Sequence, residues 1–193
     1  VLYLVRHGRT DHNASRRLLG RLDVPLDELG QRQAAALGQI DELRNATRVV
    51  ASPLMRARQT AEALGPPVTL DERWAEIDYG VYDGAELDSV GDLWREWGND
   101  LAYTPEGGES IAAMGARIRA ACDSLWDEAA VQDVVVVTHV SPIKAALAWA
   151  LQVGDEICWR MFVDTASVSR VGVGRGGRPS VRTFNETHLR PSI

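Results

Sequence analysis

Val1-Leu2-Tyr3-Leu4-Val5 runs straight into Arg6-His7-Gly8, with Thr10 and Asn13 following at short spacing. The opening five residues read as a buried strand, so an arginine and a histidine stand where that strand ends. In open α/β sheets, ligands bind outside the carboxyl ends of the strands. Two further stretches repeat the pattern. Arg48-Val49-Val50-Ala51 leads into Ser52-Pro53-Leu54-Met55-Arg56, where Ser52 suits a helix N-cap, Pro53 the first helical position and Arg56 the first turn. Asp133-Val134-Val135-Val136-Val137-Thr138 leads into His139-Val140-Ser141-Pro142, which puts His139 between a strand end and a helix start. A helix N-terminus offers unpaired N–H groups and a partial positive charge, and both favour an anion. Two histidines and two arginines converging there would compose a phosphate pocket.

Working outward, the chain alternates strand and helix signals. The fold expected is a three-layer α/β/α sandwich: a mostly parallel central sheet with helices on both faces. A helix is predicted from Asp27 to about Arg44, with Leu29, Gln33, Ala36, Leu37 and Ile40 near one face, and another over Ser110–Ala130. A strand is expected at Val68–Leu70 after the Gly65-Pro66-Pro67 breaker, and an antiparallel hairpin from Ser167–Val173 and Ser180–Phe184. No repeat or linker interrupts the 193 residues, so residues 1–193 are read as one domain.

Several segments, in consistent order, resemble the histidine phosphatase superfamily, the group that includes the cofactor-dependent phosphoglycerate mutases and many phosphomonoesterases. Arg6-His7-Gly8-Arg9-Thr10-Asp11-His12-Asn13 is similar to its signature, and Gly20 to Leu26 with Leu29 to Ala34 to the continuation. Ser52 to Ala61 resembles the second block, Glu76-Ile77-Asp78-Tyr79-Gly80-Val81-Tyr82-Asp83-Gly84 the acid-bearing block, Pro105 to Ser110 a substrate-side turn and Val137-Thr138-His139 the last. Two positions depart from the pattern. Arg9 stands where a carboxylate or amide is commoner, and Val140 where glycine is usual. A further guanidinium at the mouth is expected to favour a substrate with a second anionic group.

The resemblance implies phosphoryl transfer through a phosphohistidine, a chemistry that is mostly positioning and charge stabilisation. Arginine suits it, because its planar fork binds two phosphate oxygens and stays charged. Arg6 and Arg56 are therefore assigned to the phosphoryl oxygens, Asn13 as a neutral donor and His139 as a second imidazole on the phosphate. His7 is the nucleophile, and the backbone near Gly8 is the expected partner that fixes its tautomer. The leaving alcohol needs a proton. Glu76, Asp78 and Asp83 all offer a carboxyl group, and the resemblance favours Glu76 as general acid and later general base.

Composition narrows the partners. A net charge of −6 argues against nucleic acid. No apolar run reaches the roughly 20 residues that cross a bilayer. Cys122 and Cys158 form no C-x-x-C pair, so no disulfide framework or zinc site is expected, and a reducing cytoplasm fits. The chain begins inside a strand without methionine, which leaves room for an upstream segment. Arg6, Arg9, Arg16, Arg17 and Arg21 form either a solvated loop or a funnel guiding an anion to His7. Leu87, Trp94, Trp97, Leu101 and Tyr103 form either a lid over the pocket or part of the core. His12 and His188 have no chemical role in this reading, and Arg58 is structural. The expected activity is hydrolysis of a small phosphomonoester without metal or cofactor, in a monomer or a homodimer. The short span between Glu76 and His139 favours a phosphatase over a mutase. A catalytically idle phosphate-binding module is the alternative from another class.

Overall fold

A computed structural model of the chain describes residues 1–187. Within them, β1 (Leu2–Arg6), β2 (Arg48–Ala51), β3 (Val68–Leu70), β4 (Val134–Thr138), β5 (Ser167–Val173) and β6 (Pro179–Thr187) form one sheet in the order β3-β2-β4-β1-β5-β6. The first four strands in that order run parallel, β5 runs antiparallel to β1, and β6 runs antiparallel to β5. The helices are α1 (Asp11–Ala14), α2 (Glu28–Leu37), α3 (Asp41–Arg44), α4 (Met55–Glu62), α5 (Gly91–Asn99), α6 (Ile111–Ala129) and α7 (Val140–Leu151). They cover both faces, so the expected α/β/α architecture is the observed one. No helix among the described residues is long and apolar enough to cross a membrane.

Alternation along the strands explains the layers. Leu2, Leu4, Val134 and Val136 point to a core shared with Met114, Ile118 and Ile143 of α6 and α7. Tyr3, Val5, Val135 and Val137 point the other way, onto Leu37 of α2 and Ala57 and Ala61 of α4. Central strands buried on both faces read as unbroken apolar runs, as β4 does. Burying each such aliphatic side chain stabilises the fold by about 1.5–3 kcal/mol before chain entropy is subtracted.

Three sequence expectations need correction. The helix expected over Asp27 to Arg44 is two helices, α2 and α3, separated at Gly38–Ile40. Gly38 lets α2 end against α4, since a Cβ there would lie 2.2 Å from the carbonyl oxygen of Ala63. Gln33 and Leu37 of the face expected for α2 are buried, while Gly30 and Ala34 are buried in place of Leu29 and Ala36. The cause is the close approach of Gly30 to the loop after β1, described below. Finally, Ser52 and Pro53 precede the helix instead of starting it. Leu54 is the N-cap of α4, without a side-chain cap, and Asp23 Oδ1 accepts the Met55 N–H at 2.5 Å. Ser52 is occupied elsewhere.

The remaining elements follow their local signals. Ser110 caps α6 by accepting the Ala113 N–H, and the buried thiol of Cys122 lies on that helix. The β5–β6 hairpin turns through Gly176 and Gly177, both at positive φ, where glycine carries no Cβ penalty. Trp97 on α5 is buried and donates its indole N–H to the Tyr103 carbonyl at 2.9 Å. Leu87, Trp94, Leu101 and Tyr103 pack partly buried against the same core.

Candidate active site

The loop after β1 holds His7 rigidly. The His7 backbone N–H continues the parallel ladder to the Thr138 carbonyl at 3.0 Å, and its ring is buried. Nδ1 lies 2.7 Å from the Gly8 carbonyl oxygen. A carbonyl can only accept, so Nδ1 carries the proton and Nε2 keeps a free lone pair. This is the backbone partner the sequence suggested. The Gly8 N–H donates to Thr60 Oγ1 at 3.1 Å, and that hydroxyl donates to the Arg56 carbonyl at 2.8 Å. Gly8 and Gly30 meet closely: a Cβ on Gly8 would lie 2.5 Å from the Gly30 oxygen, and one on Gly30 would lie 2.0 Å from the Arg9 oxygen. Only glycine at both positions permits this approach.

His139, the N-cap of α7, is buried beside His7 with ring centroids 5.0 Å apart. Its Nε2 lies 2.7 Å from Ser52 Oγ, while Nδ1 has no hydrogen-bond partner among the described residues. Burial, then the charge of Arg56, pushes both imidazoles well below the usual histidine range, and Arg6 adds to the effect. Both rings are therefore neutral at physiological pH.

Arg56 is fully buried on α4. Its guanidinium donates to the carbonyls of Leu22 and Gly20, each at 2.8 Å, leaving Nε without a partner among the described residues. Arg6 donates to the Val163 carbonyl at 2.7 Å, and its Nε too has no partner among the described residues. Burial lowers each guanidinium to about 10, with Glu76 acting against that shift, so both stay charged at neutral pH. Asn13 is turned by a capping box: its Oδ1 accepts from the Thr10 N–H at 3.1 Å and the Thr10 hydroxyl at 3.0 Å. The amide nitrogen of Asn13 is thereby left as a donor. Glu76 is buried, with Oε1 accepting the Ile77 N–H at 2.8 Å and the Ser141 N–H, in the first turn of α7, at 3.2 Å.

Arg6, His7, Asn13 and Glu76 line one cavity of about 530 Å3. Arg56 and His139 are not on its open wall and are fully buried. Neither competing carboxylate lines it. Asp78 accepts the Gly80 N–H, and Asp83 accepts the N–H groups of Gly20, Arg21 and Leu22 at 2.7, 2.7 and 2.9 Å. Asp83 thus shapes the loop whose carbonyls hold Arg56. Arg9 lines the cavity, yet its Nε is paired with Asp27 at 2.7 Å. Arg16, Arg17 and Arg21 meet Asp88, Glu86 and Glu109 at 3.2, 3.3 and 3.8 Å, so the basic loop carries much of its counter-charge with it. His12 and Arg58 do not line the cavity; His188 lies outside the described residues.

Sequence reasoning gave Ser52 and Asp83 other roles, a helix cap and a competing acid, and missed Ser141 and the segment Gly154–Thr165. The last brings Cys158, Trp159, Phe162 and the Val163 carbonyl to the cavity. Lys144 of α7 also lines it, and burial pushes its ammonium below the usual lysine range. The only signal was aromatic: Trp159 and Phe162 are large apolar residues with no place in either strand or helix periodicity.

A model described as the histidine phosphatase superfamily (branch 1) matches residues 2–187. The bifunctional protein Rv2228c of Mycobacterium tuberculosis is 38% identical over 96% of the chain, which spans only 54% of that protein. A protein of Yersinia enterocolitica named "Probable phosphoglycerate mutase GpmB" is 33% identical, over 88% of this chain and 83% of its own. The crystal structure of a phosphoserine phosphatase from Entamoeba histolytica in complex with 3-phosphoglyceric acid superposes with a TM-score of 0.88, at 26% identity and 97% coverage of both chains.

Proposed function

The chain belongs to the histidine phosphatase superfamily, and from that premise we propose that residues 1–187 form a phosphomonoester hydrolase working through phospho-His7. The observation that carries the reading is the Nδ1–H of His7 donated to the Gly8 carbonyl, which leaves the Nε2 lone pair available to phosphorus. Nε2 attacks in line, an N–P bond forms and the ester P–O bond breaks. Arg6, Arg56, Asn13 and His139 draw the charge of the phosphoryl oxygens, which spares the reaction a metal ion. Glu76 gives its proton to the leaving alkoxide, then takes one from the water that cleaves the N–P bond. Phosphate leaves and the His7 lone pair is restored.

The substrate in this reading is a small phosphorylated metabolite. A second reading, a phosphoglycerate mutase, draws on the Yersinia relative. Phosphate release from a panel of phosphomonoesters with a chelator present, comparing the native chain with His7→Ala, separates the two. Chelator-resistant release that vanishes in the variant supports the hydrolase. Interconversion of phosphoglycerates without release supports the mutase, and phosphate binding with no turnover supports an idle module.

A further inference from the structure

Arg6, His7, Asn13 and Glu76 line a cavity far larger than a phosphoryl group. At about 530 Å3 it falls within the roughly 300–1,000 Å3 of sites that enclose a drug-sized molecule. Leu87, Trp94, Trp97, Met114, Val140 and Val163 supply apolar lining, with Ser141, Lys144 and Asp164 among its polar groups. Trp94 stands nearly perpendicular to Tyr79 on one side and to Trp159 on the other, with ring centroids 6.3 and 6.1 Å apart. Trp159 and Phe162 remain 41% and 72% exposed although both are large and apolar. A single exposed ring is ordinary, but two on the rim of an apolar cavity form a surface waiting to be covered.

These two rings are also fixed relative to the chemistry. They sit on the segment Gly154–Thr165 just before Val163, whose carbonyl holds the Arg6 guanidinium. A group seated against Trp159 and Phe162 is therefore held at a set distance from the phosphoryl end. A flat apolar group seated between these rings and the indole, thioether and valine surface removes both of its sides, and the two exposed rings, from water.

We propose that this cavity selects phosphomonoesters whose alcohol carries a bulky aromatic group, with Trp159 and Phe162 as the specificity-determining residues. The inference rests on the hydrolase reading for its chemistry, but its recognition half can be tested apart from turnover.

The test compares two esters of equal leaving-group acidity, ethyl phosphate and 2-(1-naphthyl)ethyl phosphate, together with their non-hydrolysable phosphonates. The expected kcat/KM for the naphthylethyl ester is about thirtyfold higher, and the phosphonates differ in Kd by a similar factor. Trp159→Ala and Phe162→Ala each lower that ratio about tenfold. A ratio near one in the native chain, or the same ratio in both variants, overturns the proposal. If neither ester releases phosphate the hydrolase reading fails, and the phosphonate ratio alone then decides: thirtyfold upholds the aromatic site and parity rejects it.

Discussion

His139 Nε2 and Ser52 Oγ lie 2.7 Å apart, joining two residues 87 positions distant at the ends of adjacent parallel strands. Ser52 is thereby diverted from helix capping to holding a buried imidazole. Ser52→Ala takes the partner from Nε2 as well, leaving neither ring nitrogen of buried His139 paired among the described residues, at an expected cost of about 1–3 kcal/mol. Thermal unfolding is the check, with a fall of several degrees expected in Tm. An unchanged Tm together with an unchanged kcat would show that the hydroxyl does not hold the ring.

Asp83 is expected to affect catalysis without reaching the cavity. Its carboxylate gathers three backbone N–H groups of the Gly20–Leu22 loop, and the carbonyls of Gly20 and Leu22 hold Arg56. Asp83→Ala should let the guanidinium drift and lower kcat by roughly tenfold to a hundredfold. Inorganic phosphate affinity should fall with it. A variant that loses stability but binds phosphate as before would contradict this link.

The Gly8–Gly30 approach predicts opposite outcomes for two similar substitutions. Gly8→Ala drives a Cβ to 2.5 Å from the backbone oxygen of Gly30, where nothing flexible can yield. Destabilisation of about 1–3 kcal/mol is expected, with loss of activity. Gly98→Ala on α5 meets open space and should stabilise by roughly 0.5–1 kcal/mol. Urea unfolding of the two variants beside the native chain measures both.

Stability should fall on the acid side because of the two imidazoles. Burial and then Arg56 hold His7 and His139 well below the ordinary value of 6.5, so the folded chain stays unprotonated there while the unfolded chain takes up protons. The unfolded state thus binds more protons below pH 6.5, and stability declines as pH falls, by about 1.4 kcal/mol per unit for each histidine. Above pH 6.5 neither state protonates and the contribution is flat. Unfolding of the native chain and His7→Gln at pH 7.5, 6.5 and 5.5 should show a shallower acid slope in the variant; equal slopes would refute the neutral His7. The acid limb of kcat/KM should likewise lie well below pH 6.5.

Local patterns made much of the molecule legible. Val134–Val137 is an unbroken apolar run because β4 is buried on both faces, and its identity as a central strand follows from that alone. His7 and His139 each follow a strand whose own residues announce it. The expected face of α2 held at Gln33 and Leu37 but missed Gly30 and Ala34, because the contact that orients the helix, Gly30 against Arg9, joins it to a loop of irregular backbone with no periodicity. The same reason hid Trp159 and Phe162.

The sequence by itself determined the α/β/α architecture and the strand ends that carry His7 and His139. These depend on residues near one another along the chain, where alternation, caps and glycine act directly. Only the tertiary structure decided that Ser52 holds His139, that carbonyls of the Gly20–Leu22 loop restrain Arg56, and that a distant aromatic segment walls the cavity. Those contacts depend on which buried polar group finds a partner once the layers have packed. That requirement is set by burial, and residues distant in sequence meet it without leaving a local mark.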